Sequence, residues 1–181
     1  MKVLIDACVL YPTVLREIVM GVAATGYFEP AWSARILEEW ARAAARNADE
    51  EVARAEIALL RARWPGAEVA VSDATMARIS LPDLDDIHVL AAAVDAGADE
   101  ILTLNLKDFP TRALSAEGIL RRDPDGFLCE ALAKAPEDVK RVVEDVHATA
   151  CRLSGEALDL RALLKRARLP RLGKALTRPA V

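Results

Sequence analysis

Two short apolar runs, each followed by polar residues, mark the predicted strands of a sheet. Residues 3–5 form a continuous apolar run, which is typical of a strand buried on both faces, and Asp6 follows it directly. Residues 100–104, whose apolar members are Ile101, Leu102 and Leu104, predict a second strand, and polar residues within 105–108 follow it. Residues 118–120 predict a further short strand. Because functional groups gather beyond the carboxyl ends of parallel strands, the polar residues after the two runs are candidates for one site.

Apolar residues between these runs recur at helical spacing. Thr13 is a predicted N-cap of the first helix, and Pro30 and Ser33 mark the start of the second. A third helix is predicted over residues 47–64, and a fourth follows Asp83, which is its predicted N-cap. This order of strands and helices predicts an α/β fold with a central parallel sheet and right-handed crossovers.

The end of the chain is predicted to be helical from Phe127 onward, after a turn at residues 124–126. After Asp159 the chain has no acidic residue. Its charged residues there are all basic: Arg161, Lys165, Arg166, Arg168, Arg171, Lys174 and Arg178. This segment either contacts phosphates or an acidic partner, or it is a solvated helix with a frayed basic end, and the pattern leaves both open.

Composition narrows the class of protein. The 181 residues suit one domain, or a domain with a helical appendage, and the hydrophobic fraction of 53% with only 4% aromatics predicts an aliphatic core. A net charge of −4 argues against a basic protein that coats nucleic acid, although it permits a nuclease. Three distant cysteines and two histidines give no zinc spacing and no disulfide framework, which predicts a reduced, cytoplasmic setting. We expect neither a signal peptide nor a membrane span.

Several acids between the two runs can be sorted by helix face. Glu39 lies on the flank of the apolar stripe of its predicted helix, whereas Glu38 points nearly opposite that stripe. Asp86 leans toward the buried face, Asp85 points away, and His88 is predicted to be a surface residue. The alternative for the two glutamates is that both are solvated, and the first helical turn by itself accounts for the aspartates through the helix dipole.

Together these positions predict a site made of carboxylates. Asp6, Glu39, Asp86 and Asp108 each reach a strand end or an inward helix flank, although Asp6 alone could be a helix cap. Converging carboxylates repel one another, so a site that holds several of them needs a divalent cation. Oxygen ligands without cysteine or histidine favour Mg²⁺ or Mn²⁺, the ions used in phosphodiester hydrolysis.

Four segments of the chain, in order, resemble the PIN-domain family. The segments are residues 3–12, 33–39, 83–93 and 102–110, and the resemblance covers roughly residues 2–128. It implies a Rossmann-like three-layer α/β/α sandwich and a ribonuclease site that depends on Mg²⁺ or Mn²⁺. Many similar bacterial proteins are VapC-type toxins, which act on RNA and are neutralised by a small antitoxin that covers the acidic groove.

The resemblance assigns family roles to individual residues. Asp6 matches the first acid of the family, Glu39 the second and Asp86 the third, so these are expected to be catalytic. The fourth acid falls within residues 105–108, where Asn105 stands at a position at which an aspartate is frequent. Either Asp108 supplies that charge or Asn105 binds the metal through water, which makes Asp6, Asp86, Asp108 and Asn105 the expected metal site.

The resemblance also implies an arrangement of the chain and its partners. Residues 1–128 are expected to form the nuclease domain and residues 129–181 a helical extension, while Thr103 is expected to orient Asp6 or the metal-bound water. A homodimer or a higher oligomer is expected.

Two other functions stay open at this point. One is a PIN-like module that has lost catalysis and only binds RNA or a protein. The other is a phosphatase with Asp6 as nucleophile, although Cys8 stands where the second aspartate of such enzymes is usual.

Overall fold

The structure is a computed structural model that describes residues 1–177, so the predicted basic residue Arg178 lies outside the described part. The chain divides into two compact units. The first consists of Met1–Tyr11 and Phe28–Arg122, and the second of Pro12–Tyr27 and the chain from Asp123 onward. The expected division of the chain after residue 128 stays a prediction.

Five parallel strands form the sheet of the first unit, in the order β3-β2-β1-β4-β5. The strands are β1 (Lys2–Ile5), β2 (Glu29–Ser33), β3 (Glu68–Val69), β4 (Glu100–Leu102) and β5 (Leu120–Arg122). The helices within residues 1–177 are α1 (Ala7–Leu10), α2 (Thr13–Ala24), α3 (Ala34–Ala45), α4 (Glu50–Arg63), α5 (Asp73–Arg78), α6 (Ile87–Ala96), α7 (Thr111–Ala116), α8 (Pro124–Lys134), α9 (Pro136–Ser154), α10 (Leu160–Arg166) and α11 (Pro170–Leu176), with a 3-10 helix at Leu84–Asp86. The predicted α/β fold with a central parallel sheet is confirmed.

The order of the strands reverses between β1 and β4. The chain leaves β1 toward β2 on one side, whereas β4 continues to β5 on the other. Since the crossovers of parallel strands are right-handed, α3 and α4 flank one face of the sheet and α6 and α7 the other. In such sheets the crevice for ligands opens at the carboxyl ends of the two strands where the order reverses. Here these ends are Ile5 and Leu102, which are paired in register.

The core of this unit is only partly as predicted. The apolar run of β1 is fully buried, as expected for a strand covered on both faces. The few aromatic residues, however, are not peripheral, because Trp32, Trp40 and Phe109 are among the largest fully buried side chains. A small number of large rings therefore fills space that the composition assigns to aliphatic residues alone.

Strand β2 is absent from the prediction, which expects only a helix start between Pro30 and Ser33. Proline normally disfavours a strand inside a sheet because it lacks an N–H group. In β2 the Trp32 N–H donates to the carbonyl oxygen of Ala67 next to β3, and Pro30 lies two residues earlier, before β3 begins. The missing N–H of Pro30 therefore faces no partner strand, and Ser33 still caps α3 by accepting the Ile36 N–H at 3.3 Å.

Three helix boundaries also differ from the prediction. Thr13 is the first residue of α2 rather than its cap, and α4 begins at Glu50 instead of residue 47. The predicted turn at residues 124–126 is the first turn of α8, because Asp123 caps it by accepting the Gly126 N–H at 2.8 Å. A proline at the first position of a helix reads as a turn when its cap is overlooked.

The second unit is a helical assembly in which α2 packs closely against α9. Their contact passes through Gly21, where an added Cβ would lie 2.5 Å from the Cγ1 atom of Val142. A larger residue at position 21 would therefore force Val142 or one of the two helices to shift. Within the described chain, no helix is both long and apolar enough to span a membrane.

Candidate active site

Asp6 lies directly after β1 and is fixed by neighbours from β4. Its side chain is only 6% exposed, and its Oδ2 accepts hydrogen bonds from Thr103 Oγ1 at 2.7 Å and from Cys8 Sγ at 3.0 Å. Its backbone N–H donates to the Leu102 carbonyl oxygen at 3.1 Å. Although Asp6 precedes α1, its side chain makes no capping hydrogen bond to that helix. The carboxylate is therefore positioned at the strand edge and is not used as a cap.

Cys8 completes the surroundings of Asp6. Its sulfur lies 3.4 Å from Thr103 Oγ1 and accepts the Leu104 N–H at 3.2 Å. Burial, and then the charge of Asp6, raises the pKa of the Cys8 thiol to about 12. The thiol is thus protonated at neutral pH and donates to Asp6. The sequence alone does not reveal this role of Cys8, because its partners Thr103 and Leu104 lie about a hundred residues away.

Three carboxylates, Asp83, Asp86 and Asp108, converge so that one oxygen of each lies within 4.8 Å of the others. Asp86 and Asp108 are partly buried, and Asp83 is exposed. The amide group of Asn105 donates to Asp86 Oδ2 at 3.1 Å. The structure thus brings Asp86, Asp108 and Asn105 together, as the predicted metal site requires, while Asp6 lies outside the group of three.

Asp83 belongs to this cluster, although the sequence pattern predicts only a helix cap at this position. Its predicted role as a cap is real, since its Oδ1 accepts the Asp85 N–H at 2.9 Å. The same side chain also places an oxygen in the cluster with Asp86 and Asp108, which the capping role does not predict. A helix cap and a metal ligand both use carboxylate oxygens, so the sequence around Asp83 cannot distinguish the two roles. The second role becomes visible only in the structure, where Asp108 lies close to Asp83.

The electrostatics of Asp86 link the separate parts of the site. Its pKa is raised to about 6 by partial burial first and then by the charges of Asp6, Asp83 and Asp108, while His88 acts in the opposite direction. Four carboxylates therefore interact at this edge of the sheet. All the candidate ligands are oxygen atoms, which fits a hard divalent cation that retains some of its water.

His88 is buried, and its predicted surface position is wrong. It is 3% exposed, and its Nε2 lies 2.7 Å from Glu39 Oε1. The prediction fails because residues 88–93 of α6 are all buried, so this helix has no outer face there. Glu39 is partly exposed and also lies 3.5 Å from the Arg35 side chain, whereas Glu38 points away as predicted and pairs with Arg54 on the surface.

Fold and site together define an α/β protein with an acidic site at the point where the strand order reverses. A family model described as PIN domain matches residues 2–107. The chain therefore belongs to the PIN-domain family.

One curated relative is the protein named Putative ribonuclease VapC50, from Mycobacterium tuberculosis (strain ATCC 25618 / H37Rv). It is 47% identical to this chain over 58 residues, which is 32% of this chain and 34% of that protein. The match thus spans about a third of the relative's length. No solved structure matches the chain.

Proposed function

We propose that this chain is a divalent-metal-dependent endoribonuclease, and that it is the toxin of a toxin–antitoxin pair. The observation that carries the proposal is the convergence of Asp83, Asp86 and Asp108 beside Asp6 at the reversal point of a parallel sheet. Membership of the PIN-domain family and the name of the curated relative support the same reaction class.

In the proposed site, Asp86 and Asp108 would hold the ion together with Asp83, and Asn105 would contribute through its amide group. A bound Mg²⁺ or Mn²⁺ would lower the pKa of a coordinated water and offset the negative charge that develops on the phosphate. The hydrogen bond from Asn105 stabilises the ionised form of Asp86, which is the form that binds a cation.

Asp6 and Glu39 have separate proposed roles. Thr103 and Cys8 hold the Asp6 carboxylate in one orientation through their hydrogen bonds to its Oδ2, and its role is to complete the acidic site. Glu39, aligned by His88, orients the water that attacks the RNA phosphodiester.

The test is cleavage of a structured RNA by the full chain, purified free of any bound antitoxin. We expect cleavage with Mn²⁺, none with EDTA, and at least a hundredfold loss for Asp6→Ala. Asp85→Asn is the matched control, because Asp85 is exposed and lies outside the cluster. Equal cleavage by Asp6→Ala and the parent chain would refute the assignment.

A folded protein that cleaves nothing in any of these conditions would instead favour a module that binds RNA or a protein without catalysis. Asn105 would then be the first residue to replace, since Asn105→Asp adds a carboxylate next to Asp86. Recovery of cleavage by that variant would assign the loss to Asn105.

The toxin role and the oligomeric state need their own tests. Induced expression of the chain in a bacterium is expected to arrest growth, and Asp6→Ala is expected to abolish the arrest. A homodimer is the proposed assembly, and light scattering coupled to gel filtration measures it directly.

A further inference from the structure

We infer that α10 and α11 form a binding surface for the RNA backbone, separate from the acidic site. This inference deepens the proposed ribonuclease function and rests on it. We call the surface the basic hairpin and define it as residues 160–177, the two helices and the turn between them.

Charge along the chain is strongly segregated. Residues 160–177 contain six basic residues and no acidic one, so they contribute +6, while the whole chain has a net charge of −4. The rest of the chain therefore carries −10. Without the basic hairpin, a protein of this charge would repel a polyanion such as RNA.

Most of these basic side chains are available to a ligand. Within the part of the chain that the structure describes, no acidic side chain pairs with five of them, all of which are exposed: Arg161, Lys165, Arg166, Arg168 and Lys174. The sixth, Arg171, lies 3.4 Å from Asp123 and 3.5 Å from Asp125. Elsewhere in the chain many exposed basic residues are paired, as Arg54, Arg61 and Arg78 illustrate.

The basic hairpin is folded and anchored, in contrast to a frayed terminus. Four of its own apolar side chains are buried: Leu163, Leu164, Leu169 and Leu172. At the start of α11, the backbone N–H groups of residues 171 and 172 donate to the two oxygens of Asp125, at 2.8 and 2.9 Å. Asp125 is itself only 6% exposed, so the anchor is a buried one.

The turn between the helices is equally well defined. Arg168 adopts a left-handed conformation, with φ of 65°, and its N–H donates to the Lys165 carbonyl oxygen at 3.2 Å. The next N–H, of Leu169, donates to the Leu164 carbonyl oxygen at 2.8 Å, which closes the end of α10. This geometry fixes the direction in which α11 leaves α10.

Two of the free basic residues share one side of α10, and a third lies in the turn after it. Arg161 and Lys165 are four residues apart, a spacing that puts them on one helical face, and Arg168 lies in the left-handed turn that follows α10. Arg161 and Lys165 line an open groove of about 450 Å³ whose other wall includes Pro170. Asp159 also lines this groove, and it is engaged as the cap of α10, where its side chain accepts the Ala162 N–H at 2.7 Å.

Exposed basic side chains without acidic partners, carried on a folded segment, suit contacts with a phosphate backbone. Arginine and lysine in this role give affinity that depends steeply on salt. For single strands the slope of log K against log salt is about −0.7 for each phosphate neutralised.

The experiment measures binding of a fluorescently labelled single-stranded RNA to the full chain in EDTA, so that no cleavage occurs. The variant replaces Arg161, Lys165 and Arg168 by glutamine. We expect its affinity at 100 mM salt to fall at least tenfold and the salt slope to become shallower by about 2, which is 0.7 for each of three contacts.

Two controls make the result specific. Replacing Arg46, Arg63 and Arg112 by glutamine removes the same charge from exposed residues of the other unit, and should change affinity less than threefold. The pair Arg161→Lys and Arg168→Lys keeps the charge and should keep the parent slope.

Unchanged RNA affinity and slope in the glutamine triple variant would overturn the inference and leave a protein partner as the ligand of this surface. An equal loss in the control triple variant would overturn it as well, since net charge alone would then explain binding. Absence of RNA binding by the parent chain would also overturn the inference. None of these results bears on cleavage, which is tested separately with Asp6→Ala in the presence of Mn²⁺.

Discussion

Replacing Asp86 with asparagine is expected to stabilise the metal-free fold while removing the capacity to bind metal. The folded chain holds the pKa of Asp86 at about 6, against an ordinary value of 3.8. Because the raised pKa belongs to an acid, ionised Asp86 destabilises the folded state. The free energy of unfolding therefore falls as the pH rises from about 4 to about 6.

The size of the effect follows from this difference. At ~1.4 kcal/mol per pKa unit, the difference between the two pKa values corresponds to about 3 kcal/mol in the free energy of unfolding. Because Asp86 is partly exposed to solvent, we expect this destabilisation to be about 1–2 kcal/mol. Asparagine has the same shape and can still accept the hydrogen bond from Asn105 through its own oxygen. The substitution thus removes the repulsion without opening a cavity.

Urea unfolding of the parent chain and Asp86→Asn, each in EDTA and in Mn²⁺, measures both effects. In EDTA at pH 7.5 we expect Asp86→Asn to be more stable by about 1–2 kcal/mol, a difference that shrinks as the pH approaches 4. Mn²⁺ should stabilise the parent chain and Asp85→Asn but not Asp86→Asn.

Protonation of Asp86 also competes with the metal. The affinity of the parent chain for Mn²⁺ is expected to fall about tenfold per pH unit below pH 6. An Asp86→Asn variant that is less stable than the parent chain in EDTA would refute the electrostatic reasoning. Equal stabilisation of both by Mn²⁺ would remove Asp86 from the metal site.

Three further predictions follow from single contacts. His88→Leu removes the hydrogen bond to Glu39 and should lower the kcat for RNA cleavage about tenfold or more, with a smaller change in KM. His88→Gln should recover part of this loss, and single-turnover kinetics measures both effects. The pKa of the Cys8 thiol is raised to about 12 and the group is largely buried, so iodoacetamide at pH 7.5 should label Cys8 only after unfolding. Peptide mass spectrometry detects this labelling, and rapid labelling in the folded chain would contradict the hydrogen-bond arrangement. Gly21→Ala brings a methyl group within 2.5 Å of Val142 and should lower the free energy of unfolding by about 1–3 kcal/mol, whereas an unchanged midpoint in urea would mean that α2 and α9 do not pack at this distance.

The sheet and part of the site could be predicted because their signals are local. A buried parallel strand has a continuous apolar run, so the position of Asp6 after the first run is visible in the sequence alone. The same holds for the polar residues that follow β4. Strand β2 has no such signal, since Pro30 contradicts it locally and its tolerance depends on where β3 begins.

The remaining parts of the site depend on contacts between distant segments. The roles of Cys8 and Thr103 arise from pairing of β1 with β4, which no periodicity reveals. His88 is buried because α6 is covered on most of its sides, a property of packing and not of helical phase. Asp83 looks like a cap because it is one, and its second role needs the position of Asp108.

The most direct test of the proposed metal site is the anomalous X-ray diffraction of crystals of this chain that contain Mn²⁺. We predict a manganese peak between Asp86 and Asp108, at about 2.0–2.3 Å from a carboxylate oxygen of each, and its disappearance in Asp86→Asn. A peak elsewhere, or none between these two residues at a concentration of Mn²⁺ that supports cleavage, would contradict the assignment of the acidic site at the ends of β1 and β4.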